Sequence, residues 1–168
     1  YLDEEANTIP WLATSWKANE NVTEWTLNLR EGVTFSDGSS LNADVIVFNF
    51  DRMKNPATGS KQAGPLLGKY NRAEVVDELT VKVYFDEPYA LFPFALSSPF
   101  MGIVSKTAVQ KYGDKFNEHL VGSGPMIFEN EIPNVEVTLR KNPNYFWSPT
   151  NLHAGPAYVD KLVFKFIL

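Results

Sequence analysis

Apolar and polar residues alternate most regularly between Glu24 and Arg30. The apolar positions of this segment are Trp25, Leu27 and Leu29. Successive side chains of a strand point to opposite faces, so the pattern predicts a half-buried β-strand. The same alternation predicts a hairpin of strands 73–76 and 79–85, joined at Asp77-Glu78.

Two further alternating segments lie in the C-terminal part of the chain. Strands are predicted at 135–140 and at 158–167. In the last of these, Leu162, Phe164 and Phe166 share one face. The sequence stops at Leu168 while this apolar strand is still running. Because natural domain ends are usually polar and exposed, we expect a fragment whose last strand continues elsewhere.

A helical period replaces the alternation after Leu41. Asn42 is a candidate N-cap, Asp44 lies in the first turn where a carboxylate suits the helix dipole, and Pro56 ends the helix. The predicted buried face consists of Ala43, Ile46, Val47, Phe50 and Met53. Shorter helices are expected around Pro93, within 88–96, and over 106–112.

The connecting segments are rich in turn residues. Ser36-Asp37-Gly38 predicts a turn after a short strand at 33–35, since Gly accepts positive φ. We interpret 1–10 as an arm or entering strand, 11–16 as a short packed segment, and 57–71 as a loop with at most one helical turn. Strands joined by short turns outnumber helices, so the predicted fold class is α+β. Its sheet is mixed or mostly antiparallel, with a few short helices in one domain over 1–168.

Composition narrows the function classes. The 168 residues are 44% hydrophobic and 21% charged, as in folded soluble domains, and no apolar run reaches the ~20 residues of a membrane span. The net charge of −5 carries no Lys/Arg block, so a nucleic-acid partner is not expected. The absence of Cys excludes disulfides, thiolate metal sites and a cysteine nucleophile.

Catalytic and metal-binding patterns are weak. His119 and His153 are far apart and have no ligand-spaced neighbours, so no zinc site is expected. The acidic pairs Asp77-Glu78 and Asp86-Glu87 point to opposite faces of a strand, which does not suit a general acid and base. We therefore expect neither an enzyme nor a cofactor.

Several motifs in order resemble one family, the family 5 bacterial solute-binding proteins of ABC importers. They are Trp25 to Gly38 (WTLNLREGVTFSDG), Leu41 to Val45 with Phe48 and Arg52, Val75 to Val81, Gly122 to Pro125 (GSGP), and Leu139 to Trp147 with its NPNY. Each motif is short, but together they cover nearly the whole chain.

The resemblance implies one domain of a class II periplasmic-binding-protein-like fold. Family members are much longer, so the chain resembles the extra domain of the N-terminal half, with the C-terminal lobe absent. Implied partners are a small solute (a peptide, oligosaccharide or chelate, with peptide as the default), the ABC permease subunits and the missing lobe. The implied location is periplasmic or extracellular, with lipid anchoring of the full-length protein left open.

The candidate ligand-binding residues follow from the same resemblance. In the nickel-binding branch of the family, arginines bind the carboxylates of a chelate at places that resemble Ser98, Met101 and Lys141 here. Lysine lacks the guanidinium fork, which argues against a nickel chelate. The complete candidate set is Ser98, Phe100, Met101, Ser123, Lys141 and Trp147.

Alternative interpretations remain for these residues. The 98–101 stretch is either a cleft wall or plain packing, and Tyr145, Phe146 and Trp147 form either a core cluster or an aromatic platform. The GSGP motif lacks the spacing and Lys of a phosphate loop, and a close backbone crossover is the simpler interpretation. Two alternative functions are a structural or permease-docking domain and a small carbohydrate-active enzyme. The enzyme would need a pair of carboxylates in a groove, and no suitable pair is evident.

Overall fold

Two antiparallel sheets organise the chain. The computed structural model describes residues 1–149 and 152–167. The first sheet has four strands in the order β1-β2-β4-β3 and the second has three in the order β5-β6-β7. The strands are β1 (Ala13–Ala18), β2 (Glu24–Leu29), β3 (Tyr70–Asp77), β4 (Thr80–Phe85), β5 (Met126–Ile132), β6 (Glu136–Lys141) and β7 (Lys161–Lys165). The predicted α+β class with mostly antiparallel pairing is confirmed.

Helices are short, and the longest of them packs against β3 and β4 of the first sheet. They are α1 (Ala43–Lys54), α2 (Ala63–Leu66), α3 (Phe92–Leu96) and α4 (Lys106–Tyr112). Short 3-10 helices occupy Pro56–Thr58, Pro99–Met101 and Gly113–Glu118. No helix among the residues just described is long and apolar enough to cross a membrane.

The main core lies between the four-stranded sheet and α1. In β2 and β4, Trp25 pairs with Val83 and Leu27 with Val81, and all four side chains are buried. Phe50 of α1 and Phe92 of α3 meet edge to face with ring centroids 6.1 Å apart. Burial of these large apolar groups is the main favourable term in folding.

Helix α1 begins and ends where the sequence predicts. The Asn42 side chain accepts a hydrogen bond from the Val45 N–H at 3.1 Å, and Pro56 follows the last turn. The buried face also includes Val45 and Asn49, whereas Val47 is only half-buried. The buried stripe is therefore rotated slightly from the predicted one.

Several predicted elements differ from the structure. The segment at 11–16 contributes to strand β1, and β5 was not predicted at all. The residues at 33–35 form no strand, although Val33 and Phe35 are buried, and Thr34 makes only an isolated bridge with Ser40. The last strand, β7, is shorter than the predicted 158–167.

The three-stranded sheet leaves an apolar face in contact with solvent. Val137 pairs with Phe164 and Leu139 with Leu162, which places these side chains on one face. Phe164 and Phe166 remain 53% and 51% exposed, and Val135 is 52% exposed. We refer to Val135, Val137, Leu139, Leu162, Phe164 and Phe166 as the open face of the second sheet.

Candidate functional site

An uncharged stretch presents aromatic side chains to solvent. Residues 88–105 contain no Asp, Glu, Lys or Arg, although these residues make up 21% of the chain. Pro93 lies in the first turn of α3, where its missing N–H costs nothing. Leu91, Phe94 and Phe100 are 67%, 52% and 57% exposed. Exposed apolar groups in a cluster are typical of a surface that contacts something else.

Core packing and backbone hydrogen bonds hold residues 88–105 in place. Phe92 is fully buried, and its ring lies 4.9 Å from that of Phe85, measured between centroids. The Tyr89 N–H donates to the Val22 carbonyl at 2.8 Å, and the Ala95 N–H donates to that of Leu91 at 2.9 Å. Its exposed side chains therefore project from a fixed backbone.

The three candidate residues in this stretch have different environments. Phe100 is exposed and accessible to a ligand, whereas Met101 is 4% exposed and belongs to the main core. Ser98 is half-buried, and its Oγ accepts the Phe100 N–H at 3.4 Å as the cap of the 3-10 helix Pro99–Met101. Ser98 and Phe100 can line a cleft, while Met101 supports them from below.

The GSGP motif lies at the joint between the two sheets. Five consecutive carbonyl groups, from Val121 to Pro125, each accept a hydrogen bond from another segment. The donors, in order, are the Ser105 N–H, the Ser36 N–H, the Trp147 indole Nε1–H, the Asn142 Nδ2–H and the Asn142 N–H. These contacts support the crossover interpretation of the motif.

Ser123 and Trp147 are both part of this joint. Trp147 Nε1 donates a hydrogen bond to the Ser123 carbonyl at 2.9 Å. Both residues are buried, with Trp147 6% exposed and Ser123 7% exposed. Tyr145 is also buried, with its ring centroid 5.2 Å from that of Trp147. Tyr145 and Trp147 thus form a core cluster, while Phe146 between them is 70% exposed.

Lys141 lies on the second sheet and is already paired. Its Nζ is 2.6 Å from Asp160 Oδ1. The hydrogen bond from this ammonium group, together with its charge, holds the pKa of the Asp160 carboxyl below its usual value. Lys141 therefore lies on a strand of the second sheet beside its own carboxylate partner.

A surface cleft forms where the end of β2 meets the 144–147 segment. Its volume is about 510 Å³, and we call it the Arg30 cleft. It is lined by Arg30, Glu31, Gly32, Thr34, Asn144, Phe146 and Trp147. Trp147 is the one candidate residue that lines it.

The Arg30 cleft was not predicted as a site. In the sequence, Arg30 marks the polar end of a predicted strand and belongs to the WTLNLREGVTFSDG motif, and Asn144 belongs to the NPNY motif. Residues more than a hundred positions apart in the sequence lie next to each other in this cleft, and no local sequence pattern indicates such a contact. The one available signal was the aromatic run 145–147, which flagged one wall of the cleft.

The described residues do not assemble a cluster of metal-ligating side chains. Over 1–149 and 152–167, no three His, Asp or Glu side chains come together in a group that could hold a metal ion. His119 stacks on Tyr112 with ring centroids 4.0 Å apart, and His153 stacks on Tyr158 at 4.2 Å. Both histidines thus pack against tyrosines within this part of the chain.

Comparison with known proteins identifies the family. Residues 7–168 match the family model described as "Bacterial extracellular solute-binding proteins, family 5 Middle". The glutathione-binding protein GsiB of Shigella flexneri is 32% identical over 148 residues, which is 88% of this chain and 28% of that protein. The chain therefore spans under a third of the length of this curated relative.

Solved structures show the same fold. NikZ from Campylobacter jejuni, in complex with Ni(L-His), superposes with a TM-score of 0.85 at 24% identity, covering 99% of this chain and 32% of its own. The periplasmic binding protein DppA from Helicobacter pylori, in complex with the peptide STSA, gives a TM-score of 0.77 at 27% identity, covering 95% and 34%. In both, the matched region is about one third of a larger protein.

Proposed function

Because the chain belongs to family 5 of the bacterial extracellular solute-binding proteins, we propose that it is one lobe of the solute-binding component of an ABC importer. Membership of a solute-binding family also means that the chain is not an enzyme. The longer protein would capture a solute outside the membrane, in the periplasm or extracellular space, and deliver it to the permease. Lipid anchoring of that longer protein stays an open part of this proposal.

The observation that carries the proposal is the family match over nearly the whole chain, combined with its partial coverage of every relative described above. Binding proteins of this kind enclose a solute by closing two lobes around it. The open face of the second sheet supports the same view, since a second lobe or further chain would cover it.

Within this lobe we propose that Ser98 and Phe100 contribute one wall of the solute cleft. Phe100 offers an exposed aromatic face and Ser98 a hydroxyl, on a backbone anchored by Phe92. Ligand clefts are mostly apolar with a few polar groups that fix orientation. Met101, Ser123 and Trp147 are buried, so in this proposal they would stabilise the fold and would not contact the solute.

A short peptide is the solute class that we propose. The wall carries no charged side chain, and Lys141 pairs with Asp160 and lacks a guanidinium fork, so neither offers the bidentate clamp that the carboxylates of a metal chelate need. The relative GsiB is named for binding glutathione and DppA was solved with a peptide, which supports the same class.

Solute affinity tests the lobe proposal. Titration calorimetry with glutathione and a tripeptide should give binding to a longer polypeptide that carries both lobes, and little or none to residues 1–168, because one wall cannot bury a ligand. Equal affinities for the two proteins would contradict the proposal.

A structural or permease-docking role is the second candidate, favoured by the exposed Leu91, Phe94 and Phe100 if they contact protein instead of solute. Phe100→Ala in the longer polypeptide separates the two roles. It should weaken solute binding by about tenfold if Phe100 is a wall residue. The control Val76→Ala, at an exposed position on β3, should leave solute affinity unchanged. If Phe100→Ala also leaves solute affinity unchanged, the docking role is favoured.

A further inference from the structure

Arg30 is held in place without a carboxylate partner. It follows the last residue of β2, its N–H donates to the Leu12 carbonyl at 2.8 Å, and its Nε donates to the Trp11 carbonyl at 2.8 Å. Among the described residues no carboxylate lies within ion-pair distance of it. A guanidinium has five N–H donors in a planar fork, so the donors on Nη1 and Nη2 remain for another acceptor.

The opposite wall of the Arg30 cleft presents an aromatic ring on a rigid segment. Phe146 is 70% exposed, yet its two neighbours, Tyr145 and Trp147, are buried in the main core. Asn142 fixes the start of this segment, because its Oδ1 accepts the Asn144 N–H at 3.1 Å and its Nδ2 donates to the Gly124 carbonyl at 2.9 Å. The ring is therefore displayed at the cleft by a locked backbone.

The remaining lining groups are polar. Within the described part of the chain, the Asn144 amide and the Thr34 hydroxyl make no side-chain hydrogen bond, and both are free to meet a ligand. Glu31 lines the same cleft, and its negative charge opposes any anionic ligand, least of all one that brings a single negative charge for Arg30 to pair.

From this arrangement we propose that the Arg30 cleft binds a small monocarboxylate that also carries an aromatic or other flat apolar group. The carboxylate accepts hydrogen bonds from the Arg30 guanidinium, which pairs with carboxylates in bidentate fashion. The apolar group packs on Phe146. The cleft shares no residue with the wall formed by Ser98 and Phe100, and the inference does not depend on the proposed transport function.

A matched pair of ligands tests the proposal on the chain itself. N-acetylphenylalanine carries both recognised groups, and its primary amide lacks only the carboxylate. Two-dimensional ¹H–¹⁵N spectra should show the Trp147 indole N–H shifting with N-acetylphenylalanine, with an affinity about tenfold or more above that for the amide, because a charge-assisted pair is lost. Equal shifts with the two ligands would overturn the proposal.

Two variants assign the binding to the cleft. Arg30→Gln should abolish the preference for the carboxylate, and Phe146→Ala should weaken binding of N-acetylphenylalanine while leaving the fold intact, because Phe146 is mostly exposed. The control Arg140→Gln removes an exposed guanidinium from β6 and should bind as the unaltered chain does. Unchanged binding in Phe146→Ala would contradict the proposal even if Arg30→Gln failed to fold.

The longer polypeptide supplies the last comparison. We expect it to bind N-acetylphenylalanine at the Arg30 cleft as the chain does, with Arg30→Gln again removing the preference. If the longer polypeptide loses this binding, the remaining protein covers or fills the cleft, and the proposed ligand site is wrong.

Discussion

Asp37 joins a turn to a helix 68 residues further along the chain. Its Oδ2 accepts the Ser105 hydroxyl at 2.6 Å, and its Oδ1 accepts the Ser39 hydroxyl at 2.6 Å and the Ser39 N–H at 2.9 Å. Ser105 is fully buried and caps α4 through the Ala108 N–H. Partial burial raises the pKa of Asp37, but these hydrogen bonds outweigh it and hold the pKa below its usual value of 3.8.

A pH-dependent loss of stability follows from the lowered pKa of Asp37. A depressed folded-state pKa contributes stability that is present above the unfolded-state value and is lost as pH falls through the folded-state value. Asp37→Asn should therefore unfold at lower urea than the unaltered chain at pH 7, and the gap should shrink as pH falls below 3.8. The control Asp114→Asn alters an exposed carboxylate; a gap for Asp37→Asn that is constant with pH would contradict this.

The turn itself was predictable, but its partner was not. Asp-Gly marks a turn locally, and Gly38 has the expected positive φ of 84°. Nothing near Asp37 in sequence indicates Ser105, because the contact is made by tertiary packing. The same holds for the Arg30 cleft, where the two walls are brought together only by the fold.

Asn49 connects α1 to the segment before α4. It is fully buried; its Nδ2 donates to the Val45 and Val104 carbonyls at 2.8 and 2.9 Å, and its Oδ1 accepts the Val104 N–H at 3.1 Å. One side chain thus satisfies both backbone groups of Val104, as a neighbouring strand would do.

Replacing the buried Asn49 amide should lower the free energy of unfolding more than replacing an exposed amide. Asn49→Leu keeps the size of the side chain but leaves the two Val104 backbone groups unpaired, and each such group costs about 1–3 kcal/mol. We expect the free energy of unfolding, measured with urea, to fall by roughly 3 kcal/mol. Asn117→Leu, at an exposed position, should change it by no more than about 0.5 kcal/mol; an equal effect in both variants would refute the bridging role.

Several elements with an uninterrupted period were predicted well, and two strands with a bulge were not recognised, although β3, which is also irregular, was predicted in its central part. Helix α4 has the predicted bounds, and β2 and β4 lie within one residue of theirs. Strand β1 carries an irregularity between Ala13 and Ser15, and β5 carries one between Phe128 and Asn130. A bulge shifts later side chains to the other face, so the alternation that marks a strand is broken.

The open face of the second sheet leaves large apolar side chains in contact with solvent. Phe164, Phe166 and Val135 are each more than half exposed on the same side of the sheet. β7 is also an edge strand, and an exposed apolar edge is a template for association with another chain. We therefore expect residues 1–168 on their own to self-associate.

Removing the two phenylalanines should reduce association without destabilising the fold. We expect Phe164→Thr with Phe166→Thr to bind less anilinonaphthalene sulfonate and to sediment as a smaller species. Its melting temperature should be nearly unchanged, since these rings bury little area. Val75→Thr, exposed on β3, is the control. If the double variant still self-associates, the associating surface is not the open face of the second sheet.

The joint at Val121 to Pro125 also sets the order in which the chain can fold. β4, the last strand of the first sheet along the chain, ends at Phe85, yet the core beneath this sheet includes Tyr145 and Trp147. The donors that complete the joint, Asn142 and Trp147, arrive some twenty residues after the carbonyls that they satisfy. During synthesis from the N-terminus, we therefore expect the core beneath the first sheet to stay incomplete until Trp147 has emerged from the ribosome.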